Sequence, residues 1–240
     1  MAYLYVHVLM VGQVTSRHLS TFTPPRVRGE REGGGGFEPS SATALPKPLA
    51  PVAGQPYLSY LIDNWVAQGI VRMTFLLHHQ ATQIEEFLGR KSATRQLCNC
   101  EIDILIEDVP LGTGGAIAHA VKELHLERSF LVANADTWLG DGLNQLNDAQ
   151  APAIAVLHAH DTERYGRVEI GQNKVLTFAE KKNSVGSGWI NAGMYRLHAS
   201  TFQGWGGQSF SIEDEMFPDL ARSGCLTAVP LDTEFIDIGI

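Results

Sequence analysis

The sequence predicts an α/β fold: a Rossmann-like mixed, mostly parallel sheet flanked by helices, with a β-rich lobe in its second half. Three observations carry that expectation. Between Leu45 and about Leu157, apolar residues at helical spacing alternate with short apolar runs, the pattern of βα units covered on both faces of a sheet. Ser129-Phe-Leu-Val-Ala133 is almost wholly apolar, and the polar turn Asn134-Ala-Asp136 follows it, at the position where open α/β sheets hold ligands. Beyond His158 the chain changes to short strand-like runs separated by Gly and Asn.

Taken in order, residues 1–44 stand apart from residues 45–240. An apolar opening from Tyr3 to Val14 gives way to Thr23-Pro-Pro-Arg-Val-Arg-Gly-Glu-Arg-Glu32, then Gly33-Gly34-Gly35-Gly36, then a tract of small residues. That composition buries too little apolar surface to offset the entropy of ordering, so this segment is expected to be mostly loose. Leu45 to Pro56 reads as extended, because each proline holds its own φ and restrains the residue before it. Leu58, Leu61, Ile62, Trp65 and Val66 recur at three and four, a helix that Gly69 would stop. Val71 to Leu77 alternates like a strand, Gln80 to Leu88 reads as a second helix, and Ile102 to Ile106 as the next strand.

Thr113 is placed to cap a helix running through Ala116, Ala120, Val121 and Leu124, with Gly114 and Gly115 allowing a ligand to approach the backbone. Gly166 to Ile170, Lys174 to Glu180 and Trp189 to Leu197 are the strand candidates of the β-rich lobe. Glu213 to Arg222 reads as a helix made irregular by Pro218, and Leu226 to Leu231 and Glu234 to Ile238 as returning strands.

With 240 residues and 44% hydrophobic content, the chain can bury one good core. Its net charge of -8 argues against a general nucleic-acid or membrane-surface binder, which needs a basic footprint. Cys98, Cys100 and Cys225 make an odd set without zinc-like pairing, as expected of free thiols in the cytoplasm. Tyr3 to Val11 has the length of a signal-peptide core but lacks a basic start and a small-residue cleavage pattern. His158 and His160 share a strand face, but no third metal ligand lies near them in sequence. A homo-oligomer is compatible with all of this.

Six stretches in order and spacing resemble one family, the sugar-phosphate nucleotidylyltransferases: Leu45-Pro-Lys-Pro-Leu-Ala-Pro-Val-Ala-Gly54, Leu111-Gly-Thr-Gly-Gly-Ala116, Asn134-Ala-Asp136, Phe178-Ala-Glu-Lys181, Ile190-Asn-Ala-Gly193 and Phe235-Ile-Asp-Ile-Gly239. The resemblance implies transfer of a nucleotidyl group from a nucleoside triphosphate to a sugar 1-phosphate, with release of pyrophosphate. It implies that Asp136 and Asp237 hold Mg²⁺ and that Lys47 is a phosphate-binding point charge. Gly112, Gly114 and Gly115 would accommodate base and ribose. Glu180 and Lys181 would meet the sugar and its phosphate, as would Asn191, Gly193 and Gly166. With Phe210-Ser-Ile-Glu-Asp-Glu-Met-Phe-Pro218, the motifs look most like heptose- or mannose-1-phosphate guanylyltransferases, which favours GTP.

One stretch departs from the family. There a first β-strand runs directly into Gly-Gly-x-Gly-Thr-Arg-Leu, whose backbone N–H groups wrap the triphosphate while its arginine stabilises charge on the leaving group. Here Gly33 to Gly36, which could still form an anion-binding nest, are followed by Phe37 and Glu38, and no apolar strand is expected to precede them. Two readings therefore stay open: an active transferase, or a remnant that binds sugar nucleotides without turnover. A glycosyltransferase of similar fold would call for Asp-x-Asp, and Asn134-Ala-Asp136 supplies only its last residue.

Overall fold

The computed structural model describes residues 7–10, 45–92, 100–162, 165, 167–179 and 186–238. The first described element corrects an expectation. His7–Met10 is a strand, β1, lying inside the main sheet, with Val8 and Leu9 fully buried on opposite faces. Residues 1–44 are thus not wholly apart from the fold, because two adjacent apolar side chains can fill both sides of a sheet at once.

Pro46 is extended, but Lys47–Leu49 turns as a 3-10 helix instead of continuing the expected extended run. Pro48 needs no N–H there, and the N–H groups of Leu49 and Ala50 donate to the Pro46 and Lys47 carbonyls at 2.8 and 2.9 Å. The strands β2 (Pro51–Val52) and β3 (Gln55–Pro56) then form a tight hairpin whose turn residues, Ala53 and Gly54, both have positive φ.

Helix α1 (Tyr57–Ala67) follows and buries Leu58, Leu61, Ile62 and Trp65. It stops where expected: Gly69, at φ +95°, donates to Val66 O, and Ile70 donates to Trp65 O, both at 3.0 Å. Next come β4 (Arg72–Leu77), α2 (Ala81–Ser92), β5 (Glu101–Ile106) and α3 (Gly112–Glu123). Although β4 alternates in sequence, it is buried on both faces. Strands β6 (Ser129–Asn134) and β7 (Thr137–Leu139) flank the Ala135-Asp136 turn, and a short helix, α4 (Leu143–Asp148), leads to β8 (Ala153–Ala159).

The second half contributes β9 (Arg167–Gly171), β10 (Lys174–Ala179) and the long β11 (Gly188–His198). The expected irregularity near Pro218 is a π-helical turn, Ile212–Met216, which passes into α5 (Phe217–Arg222). Strands β12 (Thr227–Leu231) and β13 (Phe235–Asp237) complete the described chain.

Nine strands form one sheet in the order β5-β4-β1-β6-β11-β8-β12-β10-β9. The ladder is parallel between β4 and β5 and between β8 and β12, while β1 is antiparallel to both β4 and β6, and β11 to both β6 and β8. Strands β4, β5, β6, β8 and β12 therefore share one direction, with β1 and β11 inserted the other way. The β-rich part is continuous with the main sheet, because β11 pairs with β6, β8 and β9. A separate two-stranded sheet joins β7 to β13. One apolar core packs α1, α2 and α4 on one face, and a second packs α3, the π-helical turn and α5 on the other.

Candidate active site

Asp136 and Asp237 come together because β7 pairs with β13. Asp237 lies opposite Thr137, and the Ile238 N–H donates to the Asp136 carbonyl at 3.0 Å. Tyr57, buried at the start of α1, donates its hydroxyl to Ile236 O at 3.2 Å. That bond ties the first helix after the Pro-Lys-Pro segment to the strand carrying Asp237.

Electrostatics report the same gathering. Burial and then the Asp237 charge raise the Asp136 carboxyl from 3.8 to about 6, against a backbone hydrogen bond and the Lys47 cation, with Glu213 pushing it further up. The Tyr57 hydroxyl is pushed well above its ordinary value by burial, and next by Asp136 and Asp237. Lys47, Tyr57, Asp136, Asp237 and Glu213 thus share one electrostatic site. Two partly buried carboxylates, one of which raises the other's cost of ionisation, are a donor set for a hard divalent cation, and Mg²⁺ is held by one or two carboxylates plus phosphate oxygens. Among the described residues, no three His, Cys, Asp or Glu side chains gather as a metal cluster.

Beside the carboxylates lies a buried polar network. The Asn191 amide donates to the Tyr195 hydroxyl at 3.1 Å, Asn191 Oδ1 accepts from the Gly193 N–H at 3.0 Å, and the Tyr195 hydroxyl donates to Glu213 Oε1 at 3.3 Å. Thr113 Oγ1 donates to Glu213 Oε2 at 2.5 Å and accepts from the Ile212 N–H at 2.9 Å. Gly193 sits in the irregular stretch of β11 at φ +73°, where a Cβ would lie 2.6 Å from Thr137 Oγ1.

The structure places the other sequence candidates as follows. Asn191 and Gly193 belong to this network and adjoin the carboxylates through Thr137. Gly112, Gly114 and Gly115 open α3, but their close neighbour is the Phe210 segment. A Cβ on Gly114 would lie 2.1 Å from the Phe210 ring, and the Gly114 N–H donates to Phe210 O at 3.0 Å. Close packing alone therefore accounts for glycine at 114. Thr113 is not the expected cap: it lies inside the helix, which begins one residue earlier, and its hydroxyl is spent on Glu213 and Ile212. Tyr165 packs edge-on against Phe235, two residues before Asp237, with ring centroids 5.8 Å apart. His158 packs edge-on against Trp189. Gly33, Gly34, Gly35, Gly36, Phe37, Glu38, Cys98, Gly166, Glu180, Lys181 and Gly239 lie outside the described residues.

Strand β1 bears directly on the departure noted in the sequence. His7 pairs with Asn134 at the carboxylate end of the sheet and Met10 with Leu131, so β1 heads away from Asp136.

A family model described as nucleotidyl transferase matches residues 39–213. The chain belongs to this family. Within the family, it is 29% identical over 202 residues to D-glycero-alpha-D-manno-heptose 1-phosphate guanylyltransferase of Campylobacter jejuni, covering 82% of this chain and 86% of that protein. It is 30% identical over 188 residues to mannose-1-phosphate guanylyltransferase of Mycobacterium tuberculosis, covering 75% of this chain and 51% of that protein. The crystal structure of HddC from Yersinia pseudotuberculosis complexed with GMP-PN superposes with a TM-score of 0.72 at 30% identity, covering 87% of this chain and 91% of that one. The family match begins beyond the glycine run and ends at Glu213, so Asp237 is reached by the fold and not by the matched segment.

Sequence reasoning singled out Lys47, Asp136 and Asp237 but missed Tyr57, Asn134, Tyr195 and Glu213 as parts of the site. Glu213 lay within a quoted motif; what it touches, Thr113 and Tyr195, is distant in sequence and joined only by folding.

Proposed function

We propose that this protein transfers a nucleotidyl group from a nucleoside triphosphate, with GTP favoured, to a hexose or heptose 1-phosphate, in a reaction dependent on Mg²⁺. The observation that carries the reading is the convergence of Asp136, Asp237 and Lys47 on one partly buried site. A sugar-phosphate oxygen attacks the α-phosphorus, the α–β phosphoanhydride bond breaks, and pyrophosphate leaves. Such a reaction calls for positioning and charge neutralisation more than for a covalent intermediate. Asp136 and Asp237 would hold Mg²⁺, which when bound neutralises phosphate charge.

Lys47, held at the start of its 3-10 turn, adds a point charge for phosphate. Asn191 and the bend at Gly193 offer polar groups for a sugar, and Glu180 and Lys181 are assigned to the sugar phosphate by their motif. GTP and a heptose or mannose acceptor are supported by the names of the relatives from Campylobacter jejuni and Mycobacterium tuberculosis. No helix among the described residues is long and apolar enough to cross a membrane; the cytoplasm is proposed on the unpaired set of thiols.

The test is pyrophosphate release by the purified chain with Mg²⁺, a panel of nucleoside triphosphates and several sugar 1-phosphates, with Asp136→Asn as control. Release with GTP that vanishes in the control is expected. Equal release by both proteins overturns the assignment of Asp136.

A second reading, binding of sugar nucleotides without turnover, is favoured by Phe37, near the expected position of the family's arginine, and by Glu38, a charge of the wrong sign. Loss of a donor aimed at transition-state charge costs on the order of a hundred- to a thousandfold in rate. Retained sugar-nucleotide binding without pyrophosphate release would establish it. The composition change before Leu45 would then be traced to an altered reading frame, which requires a strand-Gly-Gly-x-Gly-Thr-Arg motif in another frame of the source DNA.

A further inference from the structure

We infer that Tyr195 and Glu213 are positioning residues for the sugar half of the site, acting through the amide of Asn191. This rests on the proposed sugar-nucleotide binding and adds residues to which no sequence motif gave a role. Tyr195 is fully buried on β11, so its hydroxyl touches no ligand. That hydroxyl accepts from Asn191 Nδ2 and donates to Glu213. Asn191 Oδ1 is taken by the Gly193 N–H, which settles the orientation of the amide from its other side. Asn134, two residues before Asp136, ends β6, and its Oδ1 is buried without a partner among the described residues.

Glu213 fixes the proton arrangement. A carboxylate only accepts, so the Tyr195 proton points to Glu213 and the phenol oxygen is left to receive the Asn191 amide. The second Glu213 oxygen accepts from Thr113 Oγ1 and, at 3.4 Å, from Ser211 Oγ, which anchors the carboxylate to α3 and to the start of the π-helical turn. Without the phenol oxygen, the Asn191 amide loses the acceptor that holds it, whereas the Tyr195 ring keeps its edge contact with Phe217 at 4.8 Å. The expected consequence is a sugar subsite loosened while the nucleotide subsite is untouched.

The experiment is titration calorimetry of wild type, Tyr195→Phe, Asn191→Ala and the double variant with GDP-mannose and with GDP, in Mg²⁺. Tyr195→Phe should weaken GDP-mannose binding about tenfold, the scale of one or two lost hydrogen bonds, and leave GDP binding unchanged. In the Asn191→Ala background its effect should largely disappear, since residues acting as one unit are not additive. Glu213→Gln should also weaken GDP-mannose binding, because an amide cannot accept from both Thr113 and Tyr195; its charge also bears on Asp136, so this variant is read for sugar binding alone. Unchanged GDP-mannose binding in Tyr195→Phe, equal weakening for GDP, or additive effects with Asn191→Ala would each overturn the inference while leaving the proposed function standing. Wild-type protein that binds neither ligand would sink that function and this inference together.

Discussion

Replacing Asp136 with asparagine should stabilise the cation-free protein at alkaline pH while abolishing turnover. Burial first, and the Asp237 charge second, raise the Asp136 carboxyl from 3.8 to about 6. The folded chain therefore holds this proton more tightly than the unfolded chain. The resulting stabilisation is fully present below about pH 4 and is lost as the pH rises through 6. A rise from 3.8 to about 6 corresponds to about 3 kcal/mol. Asparagine carries no such penalty and keeps an acceptor for the backbone hydrogen bond. At pH 8 without divalent cation, Asp136→Asn should melt higher than wild type by roughly 5–10 °C, and at pH 4 the two should coincide.

Mg²⁺ supplies the reciprocal arm of the same experiment. Bound by the ionised pair as proposed, the ion should raise the wild-type melting temperature at pH 8 and leave the variant unmoved. Thermal melts at several pH values, with Mg²⁺ or with a chelator, read both effects. A difference between the two proteins that does not vary with pH would refute the raised carboxyl. An equal response to Mg²⁺ would refute Asp136 as a ligand of the cation.

Three further outcomes are expected. Lys47→Met should lower pyrophosphate release by on the order of a hundredfold, without changing the melting temperature by more than a few degrees, because the residue is exposed and its proposed role is charge at the phosphates; parallel activity and melting profiles would contradict this. Gly193→Ala should cost about 1–3 kcal/mol and weaken sugar-phosphate binding, since its φ is +73° and the new Cβ would meet Thr137 Oγ1 at 2.6 Å, as denaturant titration and calorimetry would show. Leu9→Asp should destabilise the fold by roughly 3–5 kcal/mol, because Leu9 is buried in the central strand among Leu76, Val132 and their neighbours. An unchanged melt would remove β1 from the sheet.

Much of the framework was legible because local signals and packing agree. Gly69 stops α1 through bonds made within six residues, and Asp136 and Asp237 close apolar runs whose strand ends face the site. Strand β1 was not legible. Its four residues lie inside a longer apolar stretch with no turn signal to bound them, and alternation of apolar side chains reads the same from either end. Gly114 stood out in sequence, but its nearest neighbour, Phe210, is a tertiary partner no spacing rule reaches. The bond between Tyr195 and Glu213 is of the same kind, since it joins a strand to a π-helical turn that starts only fourteen residues further on yet packs back across the sheet.

The reversed direction of β1 separates two quantities that are often treated as one. A slot between β4 and β6 can be filled by a short strand of either direction that completes both hydrogen-bond ladders and offers an apolar side chain to each face, since parallel and antiparallel ladders differ in bond pattern but only slightly in stability. Chain polarity nevertheless decides which end of the sheet receives the residues that follow. In this molecule good yield, a cooperative melt and a native spectrum would report only that the slot is filled. Screening variants by solubility or heat resistance would enrich for a well-plugged sheet and select nothing at the carboxylate end.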